Sequence, residues 1–297
     1  MAKTGVIGLG AMGFPVAVNL IEGGHELYVT YHSNKQPALE LEKRGARICS
    51  SPREVAQNAD LIFLVLPDAP EVEETLFSVD GVAAGIRPDG TVFDMSTIDL
   101  TRSREFAGRL AAVGGRFLDA PISGGPEGAA AATLAIMVGG DENAFKQYLP
   151  ILQSLGKSVV HCGESGMGLA AKMANNLLAG AQFAAMAEAL SIAIKAGMDP
   201  EKLYEVLRNA TADSRLLNAK FPVYLSGNYE PGFKLSLMCK DLDIITNAAK
   251  KLGTPTPVGS MVEQVFRICK EQYGEKDASA VSLFYQQQAG VDFRARR

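Results

Sequence analysis

An α/β domain followed by an all-helical domain is the fold class that the sequence predicts, on three observations. Short apolar runs alternate with helix-length amphipathic segments through the first half. The strand-like runs stop after about Gly163, and a long stretch dense in Ala, Leu and Met then opens the second half. Short strands separated by helices imply βαβ units around a mostly parallel sheet. Strands are expected at Thr4–Gly8, Glu26–Tyr31, Leu61–Leu66, Thr91–Met95, Arg116–Asp119, Leu134–Val138 and Ser158–His161, with helices such as Met12–Glu22, Gln36–Arg44 and Leu100–Val113 between them. From Leu169 to Lys195 the chain is apolar nearly all round, so one long helix, buried on most faces, is expected to join the domains. At about 1.5 Å per residue it would run roughly 40 Å. Further helices are expected at Asp199–Asn209, Asp241–Leu252, Val258–Tyr273 and Ala278–Gln288, separated by turn clusters at Ser226-Gly227-Asn228 and Gly253-Thr254-Pro255-Thr256-Pro257. The domains are taken as residues 1–163 and 164–297.

Composition narrows the function classes. With 47% hydrophobic and 21% charged residues the chain has globular composition, which argues against disorder. A formal net charge of −4 gives no reason to expect a nucleic-acid partner, which needs a clustered positive field. The local basic cluster from Arg294 to Arg297 reads as a solvated tail. Cys49, Cys162, Cys239 and Cys269 are scattered and form no CxxC pair, so buried free thiols are expected in place of zinc or a disulfide framework. His25, His32 and His161 belong to no metal-ligand or Ser-His-Asp grouping. The apolar run beginning at Thr4 leads straight into a glycine motif and leaves no room for a signal peptide. The charge-free stretch Met173–Ala187 is 15 residues long, too short for a bilayer, and holds Asn175, Asn176 and Gln182. A cytoplasmic protein without a membrane partner is expected.

Three segments carry chemistry. Gly8-Leu9-Gly10-Ala11-Met12-Gly13 follows a predicted strand and opens a predicted helix, the setting of a Rossmann-type dinucleotide fingerprint. Its glycines allow a tight turn, close backbone approach to a pyrophosphate, and helix–strand packing, while the helix N-terminus offers free N–H groups to phosphate. NAD sites place an acid about 20 residues further on. Here the segment after the second strand is Tyr31-His32-Ser33-Asn34-Lys35, without a carboxylate. The donors of His32, Ser33, Asn34 and Lys35 suit a 2′-phosphate, so NADP is favoured over NAD. The second segment, Asp119-Ala120-Pro121-Ile122-Ser123-Gly124-Gly125-Pro126-Glu127-Gly128, lies at a strand's C-terminal end, where open α/β sheets bind ligands. Ser123 offers a hydroxyl, and Gly124 and Gly125 let backbone N–H groups approach an anion. The third is Gly166-Met167-Gly168-Leu169-Ala170-Ala171-Lys172-Met173-Ala174-Asn175-Asn176. Lys172 is its only charge on a helix expected to be buried, and Asn176 falls one turn on.

Together these segments resemble the β-hydroxyacid dehydrogenase family over nearly the whole chain, and a fourth, Phe233-Lys234-Leu235-Ser236-Leu237-Met238-Cys239-Lys240-Asp241-Leu242, adds a Lys-Asp pair expected to open a helix. The resemblance implies an NAD(P)-dependent oxidoreductase interconverting a small β-hydroxy acid and its semialdehyde, of the 3-hydroxyisobutyrate, tartronate semialdehyde or glyoxylate/succinic semialdehyde type. By that resemblance Lys172 is the catalytic lysine and Asn176 the amide holding the substrate oxygen. Ser123, Gly124 and Gly125 bind the substrate carboxylate. Lys240 lies beside nicotinamide and substrate with Asp241 its neighbour, and Leu66, Pro67, Glu71 and Thr97 line the cofactor cleft. Desolvation on an apolar helix would favour the neutral amine of Lys172. Ala132 stands where the family more often has glycine, from which only a packing change is expected, and His32-Ser33-Asn34 lacks the arginine of NADP-using relatives. Arg215, Leu216, Phe233 and Asp243 are candidates for the substrate lining. The long apolar helix suggests a homodimer or homotetramer. The alternative reading is a non-catalytic NADP-binding scaffold or sensor on the same fold.

Overall fold

In the computed structural model of the chain, residues 1–294 are described, so Ala295, Arg296 and Arg297 of the expected tail lie outside the described residues. Arg294 itself pairs with Asp292. The chain forms two compact units, Met1–Lys172 and residues from Met173 onward, each with its own hydrophobic core.

The first unit runs β1 (Lys3–Ile7), α1 (Gly13–Glu22), β2 (Glu26–Thr30), α2 (Gln36–Lys43), β3 (Arg47–Ile48), α3 (Pro52–Asn58), β4 (Leu61–Leu64), α4 (Ala69–Phe77), β5 (Thr91–Asp94), α5 (Leu100–Ala111), β6 (Arg116–Asp119), β7 (Ile122–Ser123), α6 (Gly125–Ala130), β8 (Ala135–Gly139), α7 (Glu142–Gln153) and β9 (Ser158–Gly163), then enters α8 (Met167–Lys195). Strand order is β3-β2-β1-β4-β5-β6-β8-β7, with β9 on the other edge of β8. β1 through β6 are parallel throughout, as expected. β8 departs from this by running antiparallel to β6 and then to β7, which pair in turn along one of its edges. β4 and β5 are buried along their whole length, which explains their unbroken apolar runs: both faces are covered. Val6, Phe63, Phe93 and Leu118 pack with Val16, Leu20 and Leu41 in the core, and the Phe63 and Phe93 rings stack at 5.9 Å. Because β1 lies between β2 and β4, the chain turns opposite ways from its two sides, opening a crevice at the strands' C-terminal ends.

Several expected strands end one or two residues sooner than anticipated. Gly8, for example, has φ of +99° and already belongs to the loop. The two-residue strands β3 and β7 were beyond reach of any periodicity.

A correction falls at Ala132. Helix α6 ends in a paired-bond cap, with the Thr133 N–H donating to the Gly128 carbonyl at 2.8 Å and that of Ala132 to Ala129 at 3.3 Å. This Schellman arrangement wants a left-handed residue next after the cap, usually glycine. Ala132 takes it at φ of +54°, so its departure from the family pattern is a backbone strain rather than a packing change. Left-handed geometry costs a non-glycine residue about 1 kcal/mol, and glycine's greater unfolded freedom returns part of that. Ala132→Gly is expected to stabilise the first unit by about 0.5 kcal/mol, read as a higher urea midpoint at unchanged m-value. A lower midpoint would refute the strain argument.

The second unit continues α8 into α9 (Pro200–Leu207), α10 (Arg215–Ser226), α11 (Leu235–Leu252), α12 (Pro257–Tyr273) and α13 (Val281–Ala289). Helix α10 is not among the expected helices, although its ends carry signals: the Ser214 hydroxyl accepts from the Leu217 N–H at 2.9 Å, and Gly227 closes it at φ of +68°. Helix α11 starts six residues earlier than expected, so Lys240 and Asp241 lie in its second turn and do not open it. Phe183, Leu190, Phe221, Tyr224, Leu242 and Phe266 build the core. Asp277 ties this unit's loops together. Its carboxylate accepts from Lys220 Nζ at 2.8 Å, Ser279 Oγ at 2.6 Å, and the N–H groups of Gly232 at 3.1 Å and Phe233 at 3.2 Å.

Helix α8 is as long as expected, but its burial is not. Leu178 and Ile192 are 72% and 71% exposed, because the apolar residues encircle the helix while neighbours cover only part of it. By length and composition it could cross a membrane, with an 18-residue window of mean hydropathy 1.6, so the 15-residue estimate from the charge-free stretch was too short. The mostly buried core helix of a soluble protein meets the same test; here 39% of that window is buried.

Candidate active site

The glycine motif fills the turn from β1 into α1, and its three glycines answer to different demands. A Cβ on Gly8 would run into the Val65 carbonyl, and one on Gly13 into the carbonyl of Gly8. Both are needed for the turn and for helix–strand packing. A Cβ on Gly10 would meet nothing within 4 Å. Open space there is what a pyrophosphate would need, and Met12, which precedes α1, gives no side-chain cap to the helix's first N–H groups. The loop Gly8-Leu9-Gly10-Ala11-Met12-Gly13 therefore fits a dinucleotide.

Beyond β2, His32, Ser33, Asn34 and Lys35 form an exposed loop leading into α2. Asn34 Oδ1 accepts from the Gln36 N–H at 3.0 Å, and the Lys35 ammonium lies 5.8 Å from the Tyr31 ring centre. A cavity of about 500 Å³ opens here, lined by Tyr31, His32, Lys35, Leu39, Glu42, Ile48, Cys49 and Ser50. Ser33 and Asn34 are not in its lining, whereas Glu42, an acid from α2 that no local pattern places here, is. Cys49 is buried, which together with the neighbouring Glu54 pushes its thiol up to about 11.

Leu66 and Pro67 follow β4, Glu71 is an exposed residue in the first turn of α4, and Thr97 follows β5. The Leu66 N–H donates to Ser96 Oγ at 2.9 Å, and the Ser96 N–H to Asp94 Oδ1 at 3.0 Å. Ser96 and Asp94 thus fix this loop, a task the sequence did not reveal because Asp94 reads as an ordinary strand end.

Ser123 ends β7 half-buried, and Gly124 and Gly125 follow with φ of +135° and +65°, a pair of dihedrals that glycine alone adopts readily. Lys172 is 7% exposed, and its Nζ donates to the Ile122 carbonyl at 2.7 Å, one residue before Ser123. The lysine expected to act is thus buried and held beside the loop expected to take an anion. Asp119, at the end of β6, is fully buried and accepts the N–H groups of Gly166 at 2.6 Å and Leu169 at 2.9 Å, at the start of α8. Burial pushes its carboxyl above the usual range, against the pull of main-chain donors at Gly166, Leu169 and Gly168.

In the second unit Asn176, 4% exposed, donates to Asp241 Oδ2 at 2.6 Å and accepts from Asn175 Nδ2 at 2.9 Å. Lys240 Nζ lies 3.2 Å from Asp241 Oδ1. Asp241 therefore joins Lys240, its chain neighbour, to Asn176, 65 positions earlier in the sequence. Asp243 instead pairs with Arg267 at 2.9 Å, and Phe233 offers its N–H to Asp277.

Known proteins resemble the chain along nearly its whole length. A family profile described as the NAD binding domain of 6-phosphogluconate dehydrogenase matches residues 3–163. Another, described as NAD-binding of NADP-dependent 3-hydroxyisobutyrate dehydrogenase, matches residues 166–285. The 2-hydroxy-3-oxopropionate reductase of Escherichia coli is 38% identical, covering 94% of this chain and 95% of its own. The 2-(hydroxymethyl)glutarate dehydrogenase of Eubacterium barkeri is 36% identical, covering 97% and 96%. Among solved structures, 3-hydroxyisobutyrate dehydrogenase of Mycobacterium tuberculosis with L-serine superposes with a TM-score of 0.88 at 33% identity, over 96% of this chain and 99% of that one.

Proposed function

The chain belongs to the β-hydroxyacid dehydrogenase family of NAD(P)-dependent oxidoreductases, and from that premise we propose that Lys172 serves as its general acid and base on a small β-hydroxy acid or the matching semialdehyde. The observation that carries this reading is the buried amine of Lys172 held at the Ile122 carbonyl, next to Ser123. The names of the relatives point to one substrate class. Each describes a carboxylate with a one-carbon alcohol or aldehyde arm on the adjacent carbon.

The loop from Gly8 to Gly13 and the cleft residues Leu66, Pro67, Glu71 and Thr97 would hold the nicotinamide cofactor, which when bound would supply the hydride-transfer chemistry between alcohol and aldehyde. Ser123 and the N–H groups of Gly124 and Gly125 take the substrate carboxylate. In reduction Lys172 Nζ gives a proton to the oxygen as negative charge develops there. In oxidation the neutral amine removes the hydroxyl proton. Asn176 keeps a second amide N–H beyond the one given to Asp241, and with it steadies that oxygen. Lys240 adds positive charge beside the substrate. No observation favours the alternative of a non-catalytic scaffold.

We favour NADP over NAD because His32 and Lys35 line the cavity beyond β2, although Glu42 in the same lining works against a 2′-phosphate. A cytoplasmic setting accompanies the reading. So does assembly as a homodimer or homotetramer, supported by apolar side chains left exposed on α8 (Leu178, Ile192) and α12 (Val258, Met261, Ile268). A monomer mass in sedimentation would overturn that assembly.

The test is initial-rate oxidation of NADPH and of NADH against glyoxylate, succinic semialdehyde, tartronate semialdehyde and methylmalonate semialdehyde. Turnover of at least one, faster with NADPH, is expected. Preference for NADH would overturn the cofactor choice and leave the chemistry intact. Cofactor binding with no turnover of any β-semialdehyde would overturn the substrate class.

A further inference from the structure

We propose that Asp119 is a positioning residue that fixes the placement of Lys172, an inference that rests on the acid–base reading of that lysine. The first N–H groups of a helix have no acceptor within it. At the start of α8 two of them are taken by one side chain from another element. Asp119 Oδ1 accepts from Gly166 at 2.6 Å and Oδ2 from Leu169 at 2.9 Å. A carboxylate suits that place, since the N-terminal end of a helix carries partial positive charge.

The surroundings are shaped to admit the carboxylate. A Cβ on Gly139 would come within 2.7 Å of both its oxygens. One on Gly168 would strike the Met137 carbonyl and approach Oδ2 to 2.9 Å. Two glycines in different elements thus leave room for this one side chain. Three residues beyond Asp119, the Ile122 carbonyl accepts from Lys172 Nζ at 2.7 Å, and Ser123-Gly124-Gly125 comes next. One segment therefore grips the first turn of α8, grips the lysine, and continues into the loop assigned to the substrate carboxylate. Its hold on Gly166 and Leu169 sets the rotation and height of the helix, and so where the amine stands relative to Ser123.

Asp119→Asn keeps the shape but turns one acceptor into a donor facing a main-chain N–H. A shift of about 1 Å in a reacting group can cost about 10²-fold in rate. With Asp119→Asn, kcat is expected to fall by about 10–100-fold while the cofactor KM stays within about 2-fold. The pH at which the oxidation rate levels off should also move, because Lys172 Nζ would no longer be held at the Ile122 carbonyl as it is in the wild type. A kcat loss matched by the unfolded fraction, with the pH profile unmoved, would mean a purely structural role and overturn the proposal. Full turnover with the wild-type pH profile would do the same. Lys172→Ala is run in parallel. If it is inactive while Asp119→Asn behaves as wild type, only the positioning role fails; if it is active, the reading of Lys172 itself fails. Should Asp119→Asn not fold, Asp119→Ser, which keeps one acceptor, is measured in its place. Hydrogen exchange of the wild-type protein gives a check without any variant. The Gly166 and Leu169 amides are expected to be protected, and exchange at the open-chain rate would overturn the cap.

Discussion

Lys172→Ala is expected to lower kcat by about 10²–10⁴-fold, the usual worth of a positioned general acid or base. Since proton transfer matters only as charge develops at the substrate oxygen, kcat and kcat/KM should fall together, and the cofactor Kd should stay near its wild-type value. Lys172→Arg sharpens the test. A guanidinium keeps the charge but does not give up its proton in the working pH range, so oxidation should be lost as fully as in the alanine variant. In the wild-type protein oxidation should speed up, and reduction slow, as pH rises through the titration of the amine. A folded Lys172→Ala protein with wild-type turnover would end the acid–base assignment.

The other large effect concerns stability. Asp277 is 1% exposed and takes charge from Lys220, whose side chain is 23% exposed. Breaking a buried pair from one side typically costs 3–5 kcal/mol, because it strands the remaining charge. Partial solvent access and the other donors to Asp277 place Lys220→Met near the low end, about 3 kcal/mol. For a unit of this size that corresponds to a melting temperature roughly 10 °C lower. Burial raises the Asp277 carboxyl, but the hydrogen bonds from Lys220 and Ser279 outweigh it and hold the group below the ordinary 3.8. A group held low in the folded state adds stability above its unfolded pKa, about 3.9, and that stability drains away as pH falls through the folded value. In Lys220→Met the carboxyl is no longer held down as far, so acid unfolding should begin at higher pH. Thermal melts followed by far-ultraviolet circular dichroism between pH 2.5 and 7 would show both effects. A midpoint within about 1 °C of wild type at neutral pH would show the pair to be worth little.

What could be read from the sequence was what repeats or sits close together. Parallel strands such as Leu61–Leu64 declare themselves because both faces are buried, and Gly8 to Gly13 are legible because the turn and its ligand demand glycine at fixed spacing. Lys172 stood out as one charge in an apolar run. The links that hold it did not. Asp119 reaches Gly166 and Leu169 across 47 and 50 positions, and Asn176 reaches Asp241 across 65, so no local pattern records them. Strands of two residues leave no period. The exposed Leu178 and Ile192 were misjudged because composition reports how apolar a helix is and not which neighbours cover it. Ala132 was misjudged for a different reason. Its difference from glycine was weighed as volume when the position selects for a dihedral.

The division of labour among the three fingerprint glycines bears on how such a motif ages. Gly8 and Gly13 are enforced by the chain's own carbonyls, whereas only a guest molecule would enforce Gly10. A descendant that abandoned its coenzyme would remain under selection at the outer two positions and be released at the middle one. In such a lineage the outer glycines would persist as relics of architecture, and the middle residue alone would record whether the guest still came.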